Sequence, residues 1–514
     1  MLPDTPQFAA AIAILRKLRD EGHQAYLAGG CVRDLLLGRQ PKDYDVATSA
    51  TPNIVLDLFP RTFAVGAHFG VVLVSAEIDG VATLTEVATF RSDGAYSDGR
   101  HPDAVRYSLS AEEDVQRRDF TINGLLLDPE QLLDPEQLPD PEQLPDPEQL
   151  PDPEQLPDPE QLPDTKGTGF SPYIQPTNKT GALAPEGAPV SRTNALSAGI
   201  LDYVGGLADL DAGILRAIGQ PESRFAEDHL RMLRAVRFAA RFGFEIEPAT
   251  CSAIRTLAHK IESVSRERVR DELTRMLTEG HARRAFELLD QTGLLAQVLP
   301  EASRLKGVQQ PPQYHPEGDV WTHTLLLLSQ LESGTSMTLA WGALLHDIGK
   351  PATFQPPASP GDRIRFNGHI EVGMAISTDI CRRLRFSNEE TTQILALIEN
   401  HMRFADTPRM KTSTLKRFFR LDRFPEHLAL HRMDCLASSG NLDHYNYARE
   451  RYQSIPAEEV RPTPLLTGRE LIAAGYQPGA AFKTMLHAIE EAQLEGSIHT
   501  QEEALALIRS QFKV

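Results

Sequence analysis

Six consecutive hexapeptides, each DPEQLL or DPEQLP, occupy residues 128–163, and this repeat limits what the chain can fold into more than any other feature. A proline at every sixth position blocks a continuous helix, and leucine alone offers apolar surface. We therefore expect an extended, solvated and disordered insert over residues 128–198. Because the repeat directly follows the strand-like segment TINGLLL, we expect a short turn that was expanded by duplication between two intact strands. The alternative is a partner-binding arm.

The acidity of the chain comes largely from this repeat. The formal net charge of the 514 residues is −19, and the six Asp and six Glu of residues 128–163 contribute −12, which leaves −7 on the remainder. Arginine is clustered within that remainder, in RRDF (117–120) and in RMLRAVRFAARFGF (231–244). Local basic faces can bind phosphate on an acidic protein. The net charge therefore does not exclude a nucleic-acid substrate.

The length of the chain predicts two to four domains rather than a single core. The sequence has no run of 18 or more apolar residues, so neither a membrane-spanning helix nor a membrane partner is expected. The first residues are charged and amphipathic and lack a signal-peptide cleavage pattern. Four scattered cysteines form no Cys-x-x-Cys pair, which indicates a reducing, cytoplasmic location.

Hydrophobic periodicity divides the chain into a mixed part and a helical part. β-rich runs separated by turn residues dominate the first 127 residues, and helical periodicity dominates from residue 222 onward. We therefore predict the α+β class, with a mixed or antiparallel sheet in an N-terminal head and with an all-α neck, body and tail. The predicted domains are the head (1–127 plus 199–220), the insert (128–198), the neck (221–300), a metal-binding helical body (301–455) and a helical tail (456–514).

An Asp-x-Asp motif follows a glycine pair in AYLAGGCVRDLLLGRQPKDYDVAT (residues 25–48). Residues i and i+2 of a strand point the same way, so Asp43 and Asp45 are expected to present two carboxylates on one face. Such carboxylates repel each other unless a cation lies between them, and Mg²⁺ prefers hard oxygen ligands. Glu86, in the strand-like TLTEVATF, is the best third carboxylate. An Asp-x-Asp motif alone more often belongs to a solvated hairpin.

The glycine pair indicates a phosphate site. Gly29 and Gly30 are expected to offer bare backbone amides at a helix start, which suits a triphosphate, and Arg33 lies one turn into that helix. The combination of Gly-Gly-x-x-Arg-Asp with Asp-x-Asp favours a metal-dependent nucleotidyl-transfer site over the solvated hairpin.

Four segments together resemble the class II tRNA nucleotidyltransferase and poly(A) polymerase family. They are, in the order found in that family, LAGGCVRDLLLGRQPKDYDVAT (27–48), RRDFTINGL (117–125), LDYVGGLADLDAGILRAIG (201–219) and RFAEDHLRMLRAVRFAARFGF (224–244). The chain departs from the family pattern in the insert, which separates the second and third segments further than usual. That departure bears on the local hairpin and not on the catalytic motifs.

The resemblance implies roles for individual residues. Arg118 and Asp119 would lie near the sugar and the triphosphate, with Asn123 close by. The last segment carries the family's nucleotide-reading motif, Glu-Asp-x-x-Arg-x-x-Arg, which assigns base reading to three residues: Asp228, Arg231 and Arg234. Residues 91–103 match the family's flexible loop, which helps to switch specificity from C to A, so a CC-only enzyme is not expected.

Base reading by this motif also follows from hydrogen-bond chemistry. Asp228 and Arg231 are three residues apart, so on one helix they would share a face. A carboxylate only accepts hydrogen bonds and a guanidinium only donates them. Cytosine and adenine each offer an amino donor beside a ring acceptor, whereas uracil and guanine present the opposite pattern and would leave buried groups unpaired, at about 1–3 kcal/mol each. Without the other motifs, this spacing would more often be a surface ion pair.

A second constellation of metal-ligand types lies in the helical half. Its members are His323, His346, Asp347, His369, His401 and Asp434, each within or directly after a helical run. Imidazole and carboxylate ligands suit Mn²⁺, Fe²⁺, Ni²⁺ or Zn²⁺, and such a site can activate water for phosphoester hydrolysis. The set, with HDIGKPAT (346–353), resembles the HD phosphohydrolase domain found C-terminally in some bacterial members of the family. Whether hydrolysis is retained stays open, because a scaffold can keep the same ligands.

The resemblance implies an enzyme that adds C, C and then A to tRNA 3′ ends from CTP and ATP with Mg²⁺, and that holds the tRNA acceptor arm. An A-adding enzyme or a poly(A) polymerase shares nearly every motif. From another class, the chain would be chiefly a metal-dependent phosphohydrolase with a relic head. The intact Asp43, Asp45, Asp228 and Arg231 set argues against a non-catalytic RNA-binding protein. The sequence leaves the oligomeric state and the role of the insert open.

Overall fold

The computed structural model describes the following parts of the chain: residues 3–63, 70–78, 81–93, 105–132 and 198–512. The chain separates into two compact units, Met1–Val264 and Ser265–Val514. The first unit combines a sheet with helices, and the second, in its described residues, is built from helices. This arrangement confirms the predicted α+β class. No helix in the described ranges is long and apolar enough to cross a membrane.

The elements of the first unit alternate between short strands and helices. The strands are β1 (Ala25–Ala28), β2 (Asp45–Thr48), β3 (Thr62–Phe63), β4 (Val71–Ile78), β5 (Val81–Thr89), β6 (Arg91–Asp93), β7 (Val105–Tyr107), β8 (Leu126–Leu127), β9 (Ile200–Leu201), β10 (Ile214–Leu215) and β11 (Glu245–Ile246). The helices are α1 (Pro6–Asp20), α2 (Gly30–Leu36), α3 (Pro52–Leu58), α4 (Ala111–Gln116), α5 (Gly206–Ala212), α6 (Pro221–Glu227), α7 (Leu230–Phe242) and α8 (Pro248–Leu257).

Seven of these strands form one mixed sheet in the order β3–β4–β5–β2–β1–β8–β9. β2 and β5 are parallel, and the other neighbours are antiparallel. Helix α1 packs against this sheet and buries Ile12, Ile14 and Leu15. Its first turn is capped by Thr5, whose Oγ1 accepts a hydrogen bond from the amide of Phe8 at 3.2 Å. The central strands β1 and β2 are thus held rigidly between neighbours and helix.

The two strands that flank the insert pair with each other, as predicted. Leu126 lies opposite Leu201 and Leu127 opposite Ile200, and the amide of Asp128 donates to the carbonyl of Gly199 at 2.7 Å. In the sheet, the insert therefore occupies the position of a hairpin turn between β8 and β9. Residues 133–197, on which the prediction of disorder falls, lie outside the described part of the chain.

Residues 128–132 of the first hexapeptide belong to the folded head. Residues Pro129–Gln131 form a 3₁₀ turn, and Asp128 caps it by accepting from the amide of Glu130 at 3.2 Å. Arg19 of α1 binds this turn through Nη1, which lies 2.9 Å from Asp128 Oδ1 and 2.8 Å from Glu130 Oε2. The ordered head thus extends past residue 127, the end that composition predicts.

The second unit, in its described residues, consists of helices joined by turns and by longer loops such as residues 304–319 and 354–368. The helices are α9 (Arg266–Thr278), α10 (Ala282–Gln291), α11 (Leu294–Val298), α12 (Pro300–Ser303), α13 (Val320–Leu328), α14 (Met337–Leu345), α15 (Lys350–Thr353), α16 (His369–Arg383), α17 (Asn388–Asn400), α18 (Thr412–Phe419), α19 (Phe424–Ala437), α20 (Asp443–Ser454), α21 (Ala457–Val460), α22 (Gly468–Ala473), α23 (Ala480–Leu494) and α24 (Gln501–Gln511).

Hydrophobic periodicity over residues 463–511 predicts one pair of helices with TGRELIAAGYQPG as a turn, whereas the structure places three helices there, α22 to α24. Thr467 and Glu470 form a capping box that starts α22, and Gly475, with φ of 96°, follows its end at Ala473. The segment TGRELIAAGYQPG, which reads as a turn, therefore holds one short helix of its own. Leu471 and Tyr476 join this segment to the buried core of the tail.

We predict that the head tolerates replacement of residues 133–197 by a glycine–serine linker of about eight residues. The β8–β9 pairing and the Arg19 contacts remain in such a variant. Each halving of a flexible loop lowers the cost of closure by about 0.6 kcal/mol, so stability should stay constant or rise by up to about 2 kcal/mol. Urea unfolding of the variant and the full chain measures this difference. A loss of cooperative unfolding would contradict the hairpin interpretation.

Candidate functional sites

The register of the sheet brings two of the predicted carboxylates together. Ala28, the last residue of β1, pairs with Asp45, the first residue of β2. In the parallel β2–β5 pair, Val46 lies opposite Val87, which places Asp45 beside Glu86. Three adjacent strands, β1, β2 and β5, thus place Ala28, Asp45 and Glu86 side by side.

Asp43 lies outside β2, so the prediction that both aspartates belong to one strand is wrong for this residue. β1 ends at Ala28, the partner of Asp45, so residues before Asp45 have no β1 residue to pair with. The side chain nevertheless stays near the other two carboxylates. Its charge raises the pKa of both Asp45 and Glu86, and its own pKa is raised by burial.

These three carboxylates destabilise one another's charged forms. Burial, followed by the charges of Glu86 and Asp43, raises the pKa of Asp45 well above its ordinary value. Burial and then Asp43 raise the pKa of Glu86. Arg118 opposes both shifts. Carboxylate oxygens that repel one another form a donor set that fits a hard divalent cation such as Mg²⁺.

The glycine pair makes room for a guanidinium. Gly29 has φ of +73°, and a Cβ at this position would lie 3.0 Å from Nη1 of Arg118. The prediction of a bare amide is wrong for Gly29. This amide donates to the carbonyl of Leu125 at 3.2 Å, where the β1–β8 pairing continues past Ala28. Glycine at 29 therefore serves the backbone conformation and the close approach of Arg118.

Asp114, which the sequence reasoning missed, holds Arg118 in place. Its side chain is 1% exposed. It accepts from Nε of Arg117 at 2.9 Å and from Nη2 of Arg118 at 3.0 Å. Burial opposes ionisation, but the two arginines lower the pKa of Asp114 below its ordinary value. Arg117 and Arg118 follow Asp114 by three and four residues at the end of α4, and this spacing is the signal that could have identified it.

A chain of hydrogen bonds joins four further predicted residues. Nη1 of Arg33 donates to Oδ1 of Asn123 at 2.5 Å, and Nδ2 of Asn123 donates to Oδ1 of Asp119 at 2.9 Å. Nε and Nη2 of Arg234 bind Oδ2 of Asp119 at 2.9 and 2.7 Å. Burial raises the pKa of Asp119, but Arg234 and Asn123 outweigh it and lower the value to about 2. Helices α2 and α7 are thereby fixed around one ionised carboxylate.

The nucleotide-reading pair does not lie on one helix, so that part of the sequence argument is wrong. α6 ends at Glu227, Asp228 has extended backbone (φ −147°, ψ 106°), and α7 begins at Leu230. Oδ1 of Asp228 accepts from the amide of Leu230 at 3.0 Å, which starts the second helix. The capping tendency of aspartate here outweighs the helical periodicity around it.

Arg231 is anchored by its neighbours. Its Nη1 binds the carboxylate of Glu227 and the carbonyl of Arg224, and its Nη2 donates to the carbonyl of Arg117 at 3.2 Å. The last contact brings Arg231 next to the segment that carries Arg118 and Asp119. Residues 94–103 of the predicted flexible loop lie outside the described part of the chain.

In the second unit, all six residues of the predicted histidine–aspartate cluster converge, namely His323, His346, Asp347, His369, His401 and Asp434. Oδ2 of Asp347 lies 3.2 Å from Nε2 of His346 and 3.8 Å from Nε2 of His323. Oδ1 of the same carboxylate lies 3.9 Å from Nε2 of His369 and 4.0 Å from Nε2 of His401. Each oxygen of Asp347 thus faces its own pair of imidazoles.

The histidines of the cluster present Nε2 to its centre. Nδ1 of His346 lies 2.9 Å from the carbonyl oxygen of Ala343. Nδ1 of His369 lies 3.0 Å from the carbonyl oxygen of Phe366, and Nδ1 of His401 lies 2.6 Å from that of Ile398. A carbonyl only accepts, so Nδ1 carries the hydrogen and Nε2 keeps a lone pair.

Two of these lone pairs lack a hydrogen-bond partner. Nε2 of His369 and Nε2 of His401 are buried and make no hydrogen bond within the described residues. Burial, and then His346, lower the pKa of His401 to about 4, so this imidazole is neutral. Buried, neutral and unpaired imidazole nitrogens fit metal ligands.

The cluster also contains groups that the sequence reasoning missed. Nζ of Lys350 lies 2.6 Å from Oδ2 of Asp347 and donates to Oε1 of Gln310 at 2.7 Å. Burial opposes ionisation of Asp347, but Lys350 and His346 lower its pKa well below the ordinary value. Nε2 of His323 lies 3.1 Å from Oδ1 of Asp434, so these two atoms share a proton. A metal ion that bound both groups would take the place of that proton.

Three family models match separate parts of the chain. A model described as "Poly A polymerase head domain" matches residues 25–141. A model described as "Probable RNA and SrmB- binding site of polymerase A" matches residues 243–305, and "tRNA nucleotidyltransferase domain 2 putative" matches residues 369–508. The matches follow the chain in order. The first contains Asp43, Asp45 and Glu86, and the third contains the cluster residues His369, His401 and Asp434.

Curated relatives are described as CCA-adding enzymes. The protein from Geobacillus thermodenitrificans is 34% identical over 289 residues, which cover 56% of this chain and 54% of the relative. The protein from Lactobacillus johnsonii is 30% identical over 325 residues, which cover 62% of this chain and 64% of the relative. The chain thus spans between half and two thirds of the length of the relatives that it matches.

Solved structures resemble the chain over nearly its full length. The crystal structure of the Bacillus stearothermophilus CCA-adding enzyme in complex with CTP has a TM-score of 0.65 and 25% identity, and covers 99% of this chain and 98% of its own. The Thermotoga maritima CCA-adding enzyme complexed with tRNA has a TM-score of 0.53 and 15% identity, which shows a shared fold.

We predict that Asp114→Asn destabilises the first unit by about 3 kcal/mol, because it leaves two guanidinium groups without their buried carboxylate. Glu112→Gln, on the exposed side of the same helix, is the matched control and should change stability by less than about 0.5 kcal/mol. Denaturant unfolding of both variants measures the difference. Equal stabilities would show that Asp114 does not hold the arginines.

Proposed function

The chain belongs to the class II tRNA nucleotidyltransferase and poly(A) polymerase family, and from this premise we propose that it adds C, C and A to tRNA 3′ ends, using CTP and ATP. The observation that carries the proposal is the group of three mutually repelling carboxylates, Asp43, Asp45 and Glu86, beside Arg118. The acceptor arm of tRNA is the proposed macromolecular partner. We place the activity in the reducing cytoplasm, in keeping with four free cysteines.

The three carboxylates would hold Mg²⁺, which supplies charge neutralisation for the attacking hydroxyl and the pyrophosphate leaving group. The protein's own contribution is to hold its charged side chains in position for the substrate. Arg118, held by Asp114 and admitted by Gly29, offers a fixed cation for the triphosphate beside Asp45. Guanidinium groups that are oriented before the substrate arrives stabilise developing phosphate charge without reorganisation. A solved relative bound to CTP supports this substrate.

The proposed template for C and A is made of side chains. Arg231 uses three of its five N–H groups on Glu227, Arg224 and Arg117 within the described residues, which leaves Nε–H and one Nη2–H. These two donors lie along one edge and match adjacent acceptors such as N3 and O2 of cytosine. Asp228, which accepts hydrogen bonds, would pair with the exocyclic amino group.

We expect purified protein to extend a tRNA that lacks CCA by two C residues with CTP alone, and to complete CCA when ATP is added. Asp45→Asn should lower the rate by at least about a thousandfold, or about 4 kcal/mol, because it removes a ligand and a charge. Asp57→Asn, an exposed aspartate of α3, is the matched control. Gel analysis of labelled tRNA gives both rates.

The same assay separates the alternatives. Extension by A without C would identify an A-adding enzyme or a poly(A) polymerase. Full activity of Asp45→Asn would contradict the proposed site and favour a relic head.

A second function is favoured by the histidine–aspartate cluster. We propose that it holds two transition-metal ions, Mn²⁺, Fe²⁺, Ni²⁺ or Zn²⁺, one at each oxygen of Asp347, with His323 and His346 on one side and His369 and His401 on the other. Asp434 would complete the first side. Bound metal would supply a Lewis acid and an activated water for phosphoester hydrolysis. The unpaired Nε2 atoms of His369 and His401 support the ligand assignment.

We predict that Asp45→Asn protein, in which the head site is disabled, binds two Mn²⁺ ions per chain. His401→Ala in this background should remove one of them, because it takes a ligand from one side of Asp347. His487→Ala, at an exposed histidine of α23, is the control and should leave both. Free Mn²⁺ measured by electron paramagnetic resonance during a titration gives the stoichiometry. Absence of bound Mn²⁺ in the background protein would contradict the metal site.

A further inference from the structure

His323 differs from the other histidines of the cluster in the group that its Nδ1 contacts. Nδ1 of His346, His369 and His401 each faces a neutral backbone carbonyl three residues earlier in the chain. Nδ1 of His323 lies 2.8 Å from Oε1 of Glu317, a side-chain carboxylate. His323 is therefore the histidine of the cluster whose ring orientation and basicity depend on a charged partner at Nδ1.

Glu317 is held firmly in this position. Its side chain is 6% exposed, and Oε1 also lies 2.8 Å from Nδ1 of His315. An isolated bridge between Gln309 and Asp319 closes the loop that carries it, and the amide of His315 donates to the carbonyl of Pro311 at 3.0 Å. A loop closed at its base and bonded internally presents the carboxylate with little freedom.

The carboxylate is costly to bury, which argues for a role beyond packing. Oε2 of Glu317 is buried and makes no hydrogen bond within the described residues. A neutral glutamine could accept the same hydrogen bonds through its amide oxygen at a smaller desolvation cost. The negative charge must therefore be accounted for by an interaction that needs charge.

We propose that Glu317 is a positioning residue for the metal site: it keeps hydrogen on Nδ1 of His323, aims Nε2 at the ion bound between His323, His346 and Asp347, and strengthens that nitrogen as a ligand. The inference rests on the proposed metal site. A carboxylate behind a metal-bound imidazole fixes the ring and raises its basicity, and removal of such partners typically lowers metal affinity about 10- to 100-fold. His315, on the same oxygen, steadies Glu317 from the other side.

The test uses Asp45→Asn protein as the background and Mn²⁺ as the probe. Glu317→Gln retains an acceptor for Nδ1 but loses the charge, and Glu317→Ala loses both. We expect Mn²⁺ affinity at one of the two ions to fall about tenfold in the first variant and up to about 100-fold in the second, with the other ion less affected. Glu371→Gln, an exposed glutamate on the helix that begins with His369, is matched in charge and should bind as the background does.

Circular dichroism melting of each variant separates positioning from packing. Reduced affinity with an unchanged melting temperature in Glu317→Gln supports the proposal, and this variant keeps the test decisive if Glu317→Ala does not fold. Unchanged affinity in Glu317→Gln and Glu317→Ala overturns it. Background protein that binds no Mn²⁺ overturns the metal site itself, and the role of Glu317 with it.

Discussion

The mutual repulsion of three carboxylates, those of the half-buried Asp45 and Glu86 and of the nearby Asp43, is the constraint on which the candidate site of the first unit depends. The sheet register places Asp45 beside Glu86, and Asp43 lies close enough to raise the pKa of both. A carboxyl whose pKa is raised in the folded state contributes stability below its unfolded pKa, and that contribution is lost as pH rises through the folded value. At neutral pH the repulsion between the ionised carboxylates therefore lowers the stability of the folded state, and a bound divalent cation would offset this repulsion.

The arginines around this group are fixed before any substrate arrives. Asp114 holds Arg118, and Asp119 holds Arg234, so each guanidinium near the carboxylates has a carboxylate of its own. Such pairs cost little flexibility on binding, because the side chains are already ordered. The second unit uses the same device with imidazoles, whose Nδ1 atoms are occupied by carbonyls or, in His323, by Glu317. In both sites the candidate ligand-binding side chains are thus held in place by hydrogen bonds within the protein.

Much of this arrangement could be predicted from sequence patterns with a fixed period. Features that depend on interactions between distant or competing groups could not. The strands around Asp45 and Glu86 followed from β-rich periodicity, and the convergence of the cluster ligands was implied by the resemblance to the HD phosphohydrolase domain. The position of Asp43 outside β2 depends on where β1 ends, and the helix break at Asp228 depends on its side chain capping α7. Glu317 lies in a loop without a period, so no local signal tied it to His323.

Proton release on Mg²⁺ binding tests the central claim most directly. Calorimetric titration in buffers of different ionisation enthalpy measures how many protons leave the protein as Mg²⁺ binds. Carboxyls with raised pKa hold protons at mildly acidic pH, so the account predicts that Mg²⁺ displaces protons from the wild-type chain, more at pH 5 than at pH 7, and displaces fewer from Asp45→Asn. Equal proton release from both proteins, or none at pH 5, would contradict it.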